Sequence, residues 1–126
     1  MKLRMKGDSL RLRLTRGEVQ QLAESGRVEE RVHISPHGVL VYRLQRAAAA
    51  ATLGATFDNG VIEIQVPESV ARDWCASERV TLDHVQQHGA VDLRIVIEKD
   101  FACLAPRSDE DESDNFRHPK DRSAEA

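Results

Sequence analysis

Ser9-Leu10-Arg11-Leu12-Arg13-Leu14-Thr15-Arg16-Gly17-Glu18-Val19-Gln20-Gln21-Leu22 is the stretch whose reading decides the fold class. Its first six residues put an apolar side chain at every second position and a polar or basic one between. That period of two marks a strand with one buried face. At Thr15 the period changes. Thr15 followed three residues later by Glu18 is a capping box, in which a hydroxyl and a carboxylate satisfy the orphan amides that open a helix. Val19, Leu22 and Ala23 then recur at three- and four-residue steps, which gives one apolar stripe. Gly26 stands where a C-terminal cap is expected. A strand therefore runs straight into a short helix, predicted over residues 15–25.

Working outward, residues 2–6 alternate in the same way, and Gly7-Asp8 between the two alternating runs is tight-turn chemistry. Strands are predicted near 27–34 and 39–45, joined by Ser35-Pro36-His37-Gly38. The unit is hairpin, helix, hairpin, and the chain repeats it. At a spacing of 52, Leu10, Leu12 and Leu14 fall on Ile62, Ile64 and Val66, Leu22 falls on Trp74, and Gly7-Asp8 falls on Asn59-Gly60. At a spacing of 51, the run from His33 to Gly38 falls on the run from His84 to Gly89. The second unit reads as strands at 53–57 and 61–66, a helix beginning near Pro67, and strands at 79–85 and 91–98. Hairpin-length loops predict mainly antiparallel pairing. The fold class is α+β: a mainly antiparallel sheet or barrel of about eight strands, with two helices and an internal duplication.

Domain organisation follows. Residues 1–105 form one α+β domain with repeat halves at about 1–46 and 52–104. From Pro106 to Ala126 the one large apolar residue is Phe116, beside the cluster Asp109-Glu110-Asp111-Glu112. Such a segment buries too little to offset its ordering entropy and is expected to be an acidic disordered tail. The whole chain has 126 residues and a net charge of −3, which argues against a bulk polyanion binder. The charge is unevenly placed, with +5 over residues 1–46, −5 over 47–98 and −3 over 99–126. No run approaches the roughly 20 apolar residues of a membrane span. The alternating start, Lys2 to Lys6, has no signal-peptide core, so a cytoplasmic location is expected. Two cysteines, Cys75 and Cys103, make no disulfide framework and suit a reducing compartment.

Alternation assigns two sheet faces. One is apolar, carrying Leu3, Met5, Leu10, Leu12, Leu14, Leu40, Tyr42, Leu44, Ile62, Ile64, Val66, Leu93, Ile95 and Ile97, and is expected to be covered by the helices. The other is polar. Its basic members, Lys2, Arg4, Lys6, Arg11, Arg13, Arg43 and Arg94, are the candidate anion-binding residues. The pairs His33-x-x-x-His37 and His84-x-x-x-His88 fall at strand ends and turns rather than on a helix face, and read as turn histidines rather than zinc ligands. With 4% aromatic residues and a pI near 5.9, nucleic-acid binding is disfavoured.

Two resemblances bear on function. The opening, Lys2-Leu3-Arg4-Met5-Lys6-Gly7-Asp8-Ser9-Leu10-Arg11-Leu12-Arg13-Leu14-Thr15, and the closing Glu98-Lys99-Asp100-Phe101-Ala102-Cys103-Leu104 resemble a family of small uncharacterised bacterial proteins, over residues 1 to about 104. That resemblance implies no activity. The order of elements is similar to that of the triphosphate tunnel (CYTH-like) enzymes, whose eight strands close around a charged channel. This implies a metal-dependent hydrolase of triphosphate compounds. The family's first-strand Glu-x-Glu-x-Lys stands here as Lys2-x-Arg4-x-Lys6, so Glu63 and Glu98 would have to hold Mg²⁺ or Mn²⁺.

The residues favour a non-catalytic binding or interaction module over an enzyme, with no cofactor expected. Its expected partner is a phosphate-bearing small molecule or a protein. The tunnel-like phosphohydrolase or phosphate-compound binder is the alternative. The acidic tail is expected to be a solvating segment that touches nothing; the alternative is that it sometimes covers the basic face in competition with that partner.

Overall fold

The computed structural model describes residues 1–101 and Phe116. Cys103, the Asp109–Asp114 cluster and the tail boundary at 106 lie outside the described residues. The elements are β1 (Lys2–Met5), β2 (Ser9–Leu14), α1 (Arg16–Ser25), β3 (Arg27–Ser35), β4 (Gly38–Ala47), β5 (Gly54–Asp58), β6 (Val61–Pro67), α2 (Glu68–Ala76), β7 (Thr81–His88) and β8 (Val91–Lys99). The fold is α+β, and each half runs hairpin, helix, hairpin.

Local chemistry sets the element ends. Thr15 caps α1: Glu18 N donates to Thr15 Oγ1 at 3.3 Å and Thr15 N donates to Glu18 Oε1 at 2.9 Å, so both arms of the box are made. Gly26 ends the helix in the left-handed region at φ 78°, where a Cβ is disfavoured. Asn59 and Gly60, both with positive φ, make the two-residue turn between β5 and β6.

The strands divide into two four-stranded sheets, in the orders β1-β2-β8-β7 and β3-β4-β6-β5. Each sheet takes one hairpin from each half of the chain. The outer pairs are antiparallel hairpins, whereas the central pairs, β2 with β8 and β4 with β6, are parallel. Antiparallel pairing thus describes the hairpins but not the two central contacts. Loop length governs strands joined by those loops, and the central partners are not consecutive. Nor is the assembly a closed barrel: β1 and β7 are edges of one sheet, β3 and β5 of the other.

The apolar faces of the sheets turn toward each other, and the helices close one end. Leu12, Leu14, Ile95, Ile97 and Leu82 from one sheet, and Val28, Leu44, Ile64 and Val66 from the other, share one core with Leu22, Ala71 and Trp74 of the helices. Trp74 is fully buried and donates from Nε1 to Val80 O at 3.1 Å, which removes the cost of an unpaired indole N–H. Within the described residues the apolar assignment holds for every member except Met5, which is exposed.

The duplication holds in register for the first hairpin and helix. Leu12 and Ile64, Leu14 and Val66, and Leu22 and Trp74 are buried pairs 52 residues apart. In the second hairpin the matching buried pairs are Val28 with Leu82, 54 apart, and Leu44 with Ile97, 53 apart. The 51-residue match of His33–Gly38 to His84–Gly89 is therefore out of register. His33 pairs with Val39, whereas His84 pairs with Ile95. Gly89 has positive φ and Gly38 does not.

Candidate functional site

Seen from outside, the first sheet is a grid whose columns are its strands. In β1 and β2 the ladder sets Lys2 opposite Arg13 and Arg4 opposite Arg11. These are like charges in directly opposed positions, a destabilising arrangement unless neighbouring carboxylates offset it. In β8, Val96 stands beside Arg11 and Glu98 beside Arg13, and Asp83 of β7 follows Val96. The face is basic at its β1–β2 side and mixed at its β8–β7 side.

Carboxylates tie part of that charge down. Arg13 Nε donates to Glu98 Oε1 at 2.5 Å, and Arg11 Nη1 lies 3.8 Å from the same oxygen. Glu98, 8% exposed, is the buried charged residue of this face, and the two guanidiniums offset its desolvation. Arg94 grips Asp83 through two nitrogens, at 2.9 and 3.3 Å. That hydrogen bonding lowers the Asp83 pKa and raises that of Arg94. Lys2 Nζ is 3.6 Å from Asp100 Oδ2 and remains exposed.

Five of the seven candidate cations, Lys2, Arg4, Arg11, Arg13 and Arg94, share this face. Lys6 lies beyond β1, in the turn, where its carbonyl accepts from Ser9 Oγ at 2.6 Å. Arg43 belongs to the other sheet. Its Nε lies 3.2 Å from Glu29 Oε1 and its Nη1 3.4 Å from Glu63 Oε1. Strand phase alone put Arg43 with the others because it cannot say which of two sheets a strand joins.

Glu63 and Glu98 are not brought together. Each sits on the outer face of a different sheet and is engaged by arginine, and Glu63 also accepts from Gln65 Nε2 at 2.8 Å. Among the described residues no group of three or more His, Cys, Asp and Glu is placed to hold a metal ion. The charged residues of the two outer faces point away from the core and the two sheets do not close into a barrel, so among the described residues no charged channel of the kind the tunnel resemblance implies is formed. Cys75 is partly buried on the α2 stripe, and burial raises its thiol pKa. No helix among the described residues is long and apolar enough to cross a membrane.

One charged cluster escaped the sequence reading. The α-ammonium of Met1 donates to Glu18 Oε2 and, at 3.0 Å, to Glu30 Oε1, while Tyr42 Oη donates to Met1 O at 2.8 Å. Burial opposes the charged ammonium, yet the two carboxylates outweigh it and its pKa is raised. These contacts bridge the β1 edge to the β3 edge. At the opposite seam, Gln86 of β7 accepts from Ala55 N at 2.6 Å and donates to Ala55 O at 3.1 Å, joining β7 to β5. A glutamine in the inward phase of a strand is the signal that was available for this second bridge.

In comparison with known proteins, a family model described as "Family of unknown function (DUF7009)" matches residues 1–120. No curated protein and no solved structure matches.

Proposed function

The chain belongs to that family of unknown function, and on its own residues we propose that it is a non-catalytic binding module whose β1–β2 face takes a phosphate-bearing small molecule. The observation that carries this reading is a comparison the fold makes with itself. At a spacing of 52, Arg4, Arg11 and Arg13 correspond to Thr56, Glu63 and Gln65 of the β5–β6 hairpin, which occupies the same place in the other sheet. The β5–β6 hairpin forms with no cation at those positions. Two opposed pairs of cations are therefore not a demand of the architecture. Guanidinium groups present planar, paired donors that suit phosphate oxygens. An open face binds such an anion without enclosing it, which supports binding rather than turnover.

The test is calorimetric titration with tripolyphosphate at low salt, with and without Mg²⁺. The comparison variant is Lys2→Ser with Arg4→Thr, which leaves Arg11 and Arg13 on Glu98. Each exposed contact is worth under about 1 kcal/mol, so the double variant should bind about tenfold more weakly. Affinity should also fall with added salt. Equal affinity of the two proteins, or binding indifferent to salt, overturns the assignment. Release of orthophosphate that depends on Mg²⁺ would restore the hydrolase alternative.

A further inference from the structure

The inner faces of the two sheets meet over the core at the helix end but not at the end where the four hairpins turn. Met5, Phe57 and Val91 hold the inward phase of their strands, yet they are 58%, 68% and 51% exposed. Between the sheets at this end lies a cleft of about 480 Å³. Leu10 and Leu93 line it from one sheet, and Leu40, Ala55 and Ile62 from the other. Its polar lining residues are Thr56, Gln86 and His88, and no carboxylate lines it. Gln86 spends its amide on Ala55, and its Nε2 also meets His88 Nε2. His88 is thus the basic side chain of the cleft, at the β7 side, with Met5 at the β1 side. Those strands are three spacings apart, roughly 14 Å.

We propose that this cleft binds a free aliphatic monocarboxylic acid of medium chain length. The alkyl chain lies between Leu10, Leu93 and Ile62, and the carboxylate hydrogen-bonds to the imidazole of His88. Three observations select this occupant. The volume falls within the range of small-molecule pockets. A slot between two facing sheets admits a chain rather than the broad surface of a protein partner, which needs over about 1,000 Å² for a stable interface. The chemistry is complementary, since an anionic head meets no carboxylate within the cleft and His88, whose Nε2 faces the Gln86 amide nitrogen, offers it the other ring nitrogen. This site is separate from the outer basic face, and neither reading depends on the other.

The probe is dodecanoate, below its micellar range, titrated calorimetrically into the full chain. One molecule should bind per chain. Leu93→Trp fills the slot and should abolish binding, with Leu40→Phe on the facing sheet as a second blocking variant should the first fail to fold. His88→Ala removes one charge-assisted hydrogen bond and should weaken dodecanoate about ten- to a hundredfold. The same substitution should leave methyl dodecanoate unchanged. No binding of dodecanoate, or equal binding by both blocking variants, overturns the proposal. So does a protein that sediments with phosphatidylcholine vesicles but ignores the free acid, or one that closes the cleft by dimerising.

Discussion

Replacing Glu18 by glutamine tests how the first helix is tied to the start of the chain. Glu18 does two jobs in the structure. Its Oε1 accepts from Thr15 N in the capping box, and its Oε2 accepts from the Met1 α-ammonium, whose nitrogen is shielded from solvent. Glutamine keeps an oxygen for the first contact and removes the charge from the second, leaving Glu30 as the ammonium's partner. A charge-assisted hydrogen bond of this kind contributes about 1.5–3 kcal/mol when buried, and partial exposure of Glu18 brings the expected loss to about 1–2 kcal/mol. In urea, at about 1–3 kcal/mol per molar, the midpoint should fall by roughly 0.5–1 M.

The pH dependence makes the test sharper. For Glu18, burial works against ionisation, but the hydrogen bonds from Met1 and Thr15 outweigh it and lower its pKa below the ordinary 4.5. Its contribution is present above 4.5 and is lost as pH falls through the folded value. The Met1 ammonium has a pKa raised above the ordinary 8.0, so its contribution is present below 8.0 and is lost as pH rises through the folded value. Wild type and Glu18→Gln should therefore differ most between 4.5 and 8.0 and converge at both extremes. Equal midpoints at pH 6, or a gap that persists unchanged at pH 10.5 (~2.5 units above the ordinary α-amine value), would refute the linkage.

Trp74→Ala empties the most buried large site and should cost about 3–5 kcal/mol in chemical denaturation, while the wild-type indole should resist acrylamide quenching. Thr15→Ala removes one arm of the capping box and should cost about 1 kcal/mol, read as a shifted urea midpoint with unchanged slope. Gln86→Ala removes both hydrogen bonds to Ala55, so the Ala55 amide should exchange with deuterium markedly faster while amides in β2 keep their protection.

Much of this architecture was legible because it is written at short range. The change of period at Thr15, the Glu18 partner and the Asn59-Gly60 turn each act within a few residues. The 52-residue spacing likewise carried the burial of Leu22 over to Trp74. What was hidden is long-range. Ser9–Leu14 and Val91–Lys99 alternate as well in a parallel as in an antiparallel ladder, so phase could not reveal the parallel centre. Phase also could not separate one sheet from two, which is why Arg43 and Glu63 were grouped with residues on the other side of the molecule. The apparent His-Gly repeat misled because small shifts after each helix changed the spacing to 54 and 53. Of the basic face, the residue identities were visible from the start. The direct opposition of Arg4 to Arg11 needed the ladder.

The exchange of hairpins between the two sheets has a consequence for how the chain can be cut and how it can have arisen. Neither half holds a complete sheet: residues 1–46 supply β1 and β2 to one and β3 and β4 to the other, and each hairpin lacks its central neighbour until the second half arrives. Separate halves should remain unfolded alone and assemble when mixed, whereas a chain with two side-by-side lobes would yield two folding fragments. The same geometry describes two identical short chains clasped about a two-fold axis and later joined by the segment 48–53. Folding must then await the pairing of Ser9–Leu14 with Val91–Lys99, strands from opposite ends of the domain. That closure, more than the formation of either helix, is the step expected to set the folding rate.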